Sequence, residues 1–110
     1  MITIISGTDR KGSSTSILAQ HYHHIMSTKT AKTVQLFSLE NLPSDLYGNA
    51  MYGKETLSAA FVAIEEQYLI SAEKLLFVVP EYNGSFPGIL KLFIDACSIR
   101  SKMAIFKGKK

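Results

Sequence analysis

The 110-residue sequence predicts an α/β fold built on a parallel sheet. Short apolar, β-rich runs at residues 2–5, 33–39 and 74–79 alternate with stretches whose apolar residues recur at helical spacing. The resulting order is strand then helix, three times over. It calls for right-handed crossovers between parallel strands, with the first strand in the middle. Hydrophobic residues make up 46% of the chain and charged ones 19%, enough to fill a core rather than leave the chain disordered.

Taken in order, Ile2-Thr3-Ile4-Ile5 is a strand buried on both faces, opening into a polar loop punctuated by Gly7 and Gly12. A helix is expected from about Ser14 to Met26, carried by Ile17, Leu18, Tyr22, Ile25 and Met26, with Ser13 or Ser14 as N-cap. The second strand is followed by a long loop over 41–54, containing Pro43, Gly48 and Gly53. A second helix over 55–71 shows an apolar stripe of Leu57, Phe61, Ile64 and Tyr68, with Glu65 and Glu66 expected on its solvated face. The strand at 74–79 is the most hydrophobic. A loop at 80–87 leads into a third helix reaching about Ser98, with Pro87 suited to its first turn. Residues 103–110 resemble a connector approaching another strand.

The formal charge of +3 is unevenly placed. Residues 1–99 hold seven basic and nine acidic residues, while residues 100–110 hold five basic and no acidic ones. The surplus is a feature of the C-terminal end, expected to be solvated, and does not predict nucleic-acid binding. No apolar run approaches the roughly 18 residues of a membrane span. The first residues also lack the pattern of a signal peptide, so a cytoplasmic location is expected. The single Cys97 fits a reducing compartment and is expected to be a structural helix residue. His21, His23 and His24 scatter around a helix, and no metal site is expected of them.

In an open parallel sheet, ligands bind beyond the carboxyl ends of the strands, where strand order reverses. The loops after the first and third strands flank that point. The first brings the hydroxyls of Ser6, Thr8, Ser13, Ser14, Thr15 and Ser16, the guanidinium of Arg10 and a helix N-terminus, a set suited to a phosphate monoester. A triphosphate P-loop is excluded, because Ser13 stands where its lysine belongs, and the Gly-x-Gly-x-x-Gly dinucleotide fingerprint is absent. The second loop, Pro80-Glu81-Tyr82-Asn83-Gly84-Ser85-Phe86-Pro87-Gly88, suits the edge of a flat heteroaromatic ring, with amides of residues 82–84 facing its carbonyls. Each loop also has a plainer explanation: a serine-rich cap and turn, and a strand-to-helix turn with Tyr82 and Phe86 packed on their neighbours.

Together the two loops resemble the NADPH-dependent FMN reductase family, whose fold is a flavodoxin-like three-layer sandwich. The pattern Gly-Ser-x-Arg-x-x-Ser-x-Asn-x-x-Leu-Ala is approximated by Gly7-Thr8-Asp9-Arg10-Lys11-Gly12-Ser13-Ser14-Thr15-Ser16-Ile17-Leu18-Ala19. Pro-Glu-Tyr-Asn-x-Ser-x-Pro-Gly-x-Leu-Lys-x-x-Ile-Asp is met by Pro80 through Asp95 at every specified position. The resemblance implies that Thr8, Arg10, Ser13, Thr15 and Ser16 hold an FMN phosphate, and that Pro80, Glu81, Tyr82, Asn83 and Gly84 border the isoalloxazine.

It further implies electron transfer from NADPH or NADH through FMN to a quinone, flavin or azo acceptor, in a homodimer or homotetramer. Flavin chemistry of this kind needs no side-chain acid or base, so no catalytic residue is nominated. Asp95 is assigned to helix packing or subunit contact, and Ala96 stands where the family often has an aromatic residue. Family members continue for two more strands and two more helices. The chain is therefore expected to be one flavodoxin-like domain over 1–110, present as its β-α-β-α-β-α portion, with an unpaired edge on the third strand. Two other assignments are a non-catalytic flavin- or phosphate-binding fragment and an electron-transfer flavodoxin, whose usual acidic surface is missing.

Overall fold

The computed structural model describes residues 1–46, 58–101 and 105–110. Three strands, β1 (Ile2–Ser6), β2 (Val34–Ser38) and β3 (Lys74–Val78), form a parallel sheet in the order β2-β1-β3. Ile4 of β1 stands between Leu36 and Leu76, and this register makes β1 central and buried along its whole length. Helix α1 (Ser14–Lys29) joins β1 to β2. Helix α2 (Ala59–Ile64) runs on as a π-helical segment, Glu65–Ile70, and α3 (Gly88–Ser101) follows β3.

Strand alternation sorts the side chains onto two sides of the sheet. Ile4, Val34, Leu36, Leu76 and Val78 meet Ala19 and Met26 of α1. Ile5 and Phe37 join Phe61, Leu69, Leu90, Phe93, Ala96 and Cys97 in the larger cluster beneath α2 and α3. Three layers result, as the strand-helix order predicts.

Helix α1 starts where expected. Ser13, in extended conformation, is its N-cap and accepts a hydrogen bond from the Ser16 amide at 3.0 Å. Replacing Ser13 by alanine is expected to cost about 1 kcal/mol of stability, read from the midpoint of urea unfolding. An unchanged midpoint would contradict this capping role. All but one of the periodic residues of α1 point outward rather than in. Ile17 is 62% exposed, and Leu18, Tyr22 and Ile25 are also exposed, while Ala19 and Met26 face the sheet. His23 bonds the Val34 carbonyl through Nε2 at 2.9 Å, and His21 and His24 are exposed.

One expectation about the second helix falls partly outside the described residues, and another needs correction. Its first described helical residue is Ala59; positions 55–57, including Leu57, lie outside the described residues, as does most of the 41–54 loop. More consequentially, Glu65 is fully buried, while Glu66 is exposed. The physical reason is spacing, since Glu65 follows the buried Phe61 by four residues and shares its face of the helix. The π-helical winding that starts at Glu65 then keeps Leu69, four residues further on, in line with both. Burial first, and then the charge of Glu65, pushes the Cys97 thiol well above the usual thiol range, so Cys97 is a packing residue.

The outer side of β3 is not wholly bare. The Leu75 amide donates to the Lys110 carbonyl at 2.9 Å and the Lys110 amide to the Glu73 carbonyl at 3.3 Å, one rung of parallel pairing. Ile105 is buried in the larger cluster with Phe106 packed beside it, and Lys109 Nζ donates to the carbonyls of Ile70 (3.1 Å) and Ala72 (2.6 Å). The basic end is thus partly tied down, because strand ends present carbonyls that an ammonium can satisfy. At the same end of the sheet the Lys32 ammonium bonds Glu73 at 2.5 Å and holds that carboxyl below its ordinary range. This contribution is present above the ordinary carboxylate pKa and is lost as pH falls through the lowered one. Among the described residues no helix is long and apolar enough to cross a membrane.

Candidate functional site

Because β1 and β3 are neighbours, the loops that follow them lie side by side at the carboxyl edge of the sheet. This is where strand order reverses, since α1 leads to β2 on one side of β1 and α2 to β3 on the other. The Gly7 amide extends the ladder by donating to the Val78 carbonyl at 2.9 Å. A Cβ on Gly7 would sit 3.1 Å from that carbonyl oxygen and 3.3 Å from Val79 Cγ2, so the close approach of the loops requires glycine there.

The two loops together enclose a cavity of about 200 Å³, lined by Arg10, Gly12, Ser13, Ser14 and Thr15 from the first and by Pro80 and Tyr82 from the second. The Ser16 amide is taken by Ser13 Oγ and that of Ile17 by the Ser13 carbonyl, leaving the amides of Ser14 and Thr15 at the positive end of a 16-residue helix. Ser13 Oγ, an acceptor in the cap, keeps a hydroxyl proton to donate. Arg10 is exposed, and among the described residues no carboxylate pairs with it. The donor set fits a doubly charged phosphate: two free amides, three hydroxyls and one guanidinium fork.

The second loop closes on itself as a two-residue hairpin. Tyr82 and Ser85 exchange backbone hydrogen bonds at 2.8 and 3.1 Å, and Asn83 (φ 53°) and Gly84 (φ 80°) both take the left-handed conformation. Asn-Gly is the pair this turn favours. The Gly84 amide is capped by the Glu81 carboxylate. Of the three amides expected to face a ring, those of Tyr82 and Gly84 are therefore committed inside the loop. Only the Asn83 amide has no partner among the described residues. Tyr82 is half-buried and its hydroxyl meets Thr8 Oγ1 at 2.8 Å, while Phe86 is 48% exposed rather than packed.

The candidate residues thus fall into groups. Arg10, Ser13, Thr15, Pro80 and Tyr82 line one cavity. Thr8 is fully buried behind it, and Ser16 lies one step along the helix, its Oγ accepting from Gln20 Nε2 at 3.4 Å. Glu81, Asn83 and Gly84 form the hairpin next to that cavity. Ser14 and Gly12, both named in the loop from the sequence but outside the residues assigned to FMN, also line the phosphate cavity, and the free amide of Ser14 follows from its place as the first residue of α1. A second cavity of about 420 Å³, lined by Asp9, Tyr82, Pro87, Gly88, Ile89 and Leu92, shares Tyr82 as a wall. Asp95 is bonded by Lys91 one helical turn away, at 2.6 and 2.8 Å.

The model of the NADPH-dependent FMN reductase family matches residues 1–110. The chain belongs to this family. Within it, the chain resembles an FMN-dependent NADH:quinone oxidoreductase of Geobacillus kaustophilus (strain HTA426), with 51% identity over 37 residues, covering 34% of this chain and 17% of that protein. Two solved structures match with a TM-score of 0.70. An NADH:FMN oxidoreductase in its apo form is 22% identical, over 86% of this chain and 48% of that one. A flavoenzyme NAD(P)H:(acceptor) oxidoreductase from Paracoccus denitrificans is 20% identical, over 98% and 56%. An azoreductase is more distant, with a TM-score of 0.59 and 19% identity over 86% and 54%. At these identities the structural matches show the flavodoxin-like α/β fold. This FMN reductase family chain spans about half the length of those solved relatives, and a smaller part of the quinone oxidoreductase.

Proposed function

We propose that this chain forms the FMN-binding portion of an NAD(P)H-dependent flavin oxidoreductase acting on a quinone, flavin, azo compound or similar acceptor. One observation carries the proposal. The Arg10 guanidinium and the N-terminus of α1 converge on a cavity whose opposite wall is Pro80 and Tyr82. An anionic cradle beside a proline-tyrosine wall suits a ligand with a phosphate at one end and a flat ring at the other. The family match and the oxidoreductase relatives support the same reading.

Arg10, Ser13, Ser14 and Thr15 would hold the phosphate, and Pro80, Tyr82 and the Asn83 amide would border the ring, with Glu81 and Gly84 shaping the hairpin. The phosphate cavity, at about 200 Å³, is below the roughly 300 Å³ of a usual small-molecule site. The ring would therefore extend over Tyr82 toward the second cavity. Bound FMN would supply the hydride and electron-transfer chemistry, and the chain's part is to anchor and orient it. A homo-oligomer in a cytoplasmic setting is part of this proposal.

The test is to titrate the purified chain with FMN, following flavin fluorescence, and then to measure NADPH and NADH consumption with a quinone or free FMN. Saturable binding and turnover are expected. Binding without turnover would mark a flavin-holding fragment, and absence of binding would refute the reading.

A further inference from the structure

We propose that Thr8 is a positioning residue whose hydroxyl, bonded to the Tyr82 phenol, holds that tyrosine as the wall between the two cavities instead of touching the phosphate. The proposal rests on the flavin reading above and gives Thr8 a different task from the one implied by its place in the family motif.

The geometry carries it. Thr8 is fully buried and is not among the residues lining the phosphate cavity. Its Oγ1 accepts from the Arg10 amide at 3.3 Å and meets the Tyr82 hydroxyl at 2.8 Å, and in the proposed arrangement its one proton goes to the Tyr82 oxygen, leaving none for a phosphate. Beyond the Gly7–Val78 rung, Thr8–Tyr82 is the hydrogen bond that joins the two loops among the described residues, across 74 positions of sequence. The Tyr82 backbone is pinned in both directions by Ser85, so only the side chain is left to move. That side chain lines the cavity of about 200 Å³ on one side and the one of about 420 Å³ on the other. Releasing the phenol would let the ring turn and merge the two spaces, removing the surface against which a flat ring is oriented.

The test compares Thr8→Val, Tyr82→Phe, the double variant and Thr8→Ser, each titrated with FMN and with riboflavin, which has the ring but no phosphate. Thr8→Val and Tyr82→Phe are each expected to weaken both flavins by the same factor, roughly three- to tenfold, as for a neutral hydrogen bond. The double variant should be no worse than either single one, and Thr8→Ser should restore the original affinities. A loss for FMN alone in Thr8→Val, with Tyr82→Phe unchanged, would show that Thr8 serves the phosphate, directly or through Arg10, and overturn the proposal. Multiplying effects would overturn it as well. Should Thr8→Val fail to fold, Tyr82→Phe decides: equal weakening of both flavins supports the proposal, and unchanged affinity defeats it. If the unsubstituted chain binds neither flavin, the flavin reading itself falls and takes this proposal with it. The other negative results all require a binding parent.

Discussion

Replacing Arg10 by alanine is expected to weaken FMN binding by roughly 10- to 150-fold, the worth of about 1.5–3 kcal/mol for a hydrogen bond to a charged group. Riboflavin affinity should be unchanged. The guanidinium is exposed and lines the cavity, and among the described residues no carboxylate competes for it. Its removal therefore deletes attraction for an anion without leaving a buried partner stranded. A lysine at this position should recover only part of the loss, because an ammonium cannot present two parallel donors. Because the site is open, the effect should shrink as salt is raised. Equal weakening of FMN and riboflavin would place Arg10 against the ring, and no change in either would remove it from the site.

Phe93→Ala is expected to destabilise the chain by about 3–5 kcal/mol, the usual cost of emptying a buried phenylalanine site. Phe93 is fully buried in the cluster beneath α2 and α3. Its ring lies 6.3 Å from that of Phe37 on β2 and meets Phe61 on α2 edge-on at 6.1 Å. One side chain thus links a strand and two helices. Against the 5–15 kcal/mol typical of whole domains, the loss takes a large share of the stability. Urea unfolding measures it directly. Ile17→Ala on α1 is the control, since its side chain is mostly exposed and the change should stay within about 0.5 kcal/mol. If the two variants unfold at the same midpoint, the larger cluster does not govern stability.

These predictions draw on features of unequal visibility in the sequence. The strands were legible because β-branched and apolar runs bounded by polar loops have few alternatives, and their observed limits fall within a residue or so of the expected ones. The Ser13 cap was legible for the same local reason. Glu65 was not. It lies one turn on from Phe61, at the edge of the apolar stripe, and a carboxylate at such an edge reads as solvated until the packing of α2 shows it buried. The outward face of α1 was hidden too. Ile17, Leu18, Tyr22, Ile25 and Met26 have the spacing of a core stripe, and only the packed sheet shows that Met26 alone of these turns inward, beside Ala19.

By its own residues, the chain determined its α/β order, the family carried by the two loop motifs, and the set of groups able to hold a phosphate, because each depends on neighbours in sequence. Tertiary structure alone decided which of those groups share a cavity. The Thr8 hydroxyl meets a tyrosine 74 positions away, and how the hairpin's turn closes decides which of its amides are free. A hydroxyl or an amide serves whichever partner lies within hydrogen-bonding reach, and that proximity exists only once β1 and β3 are paired.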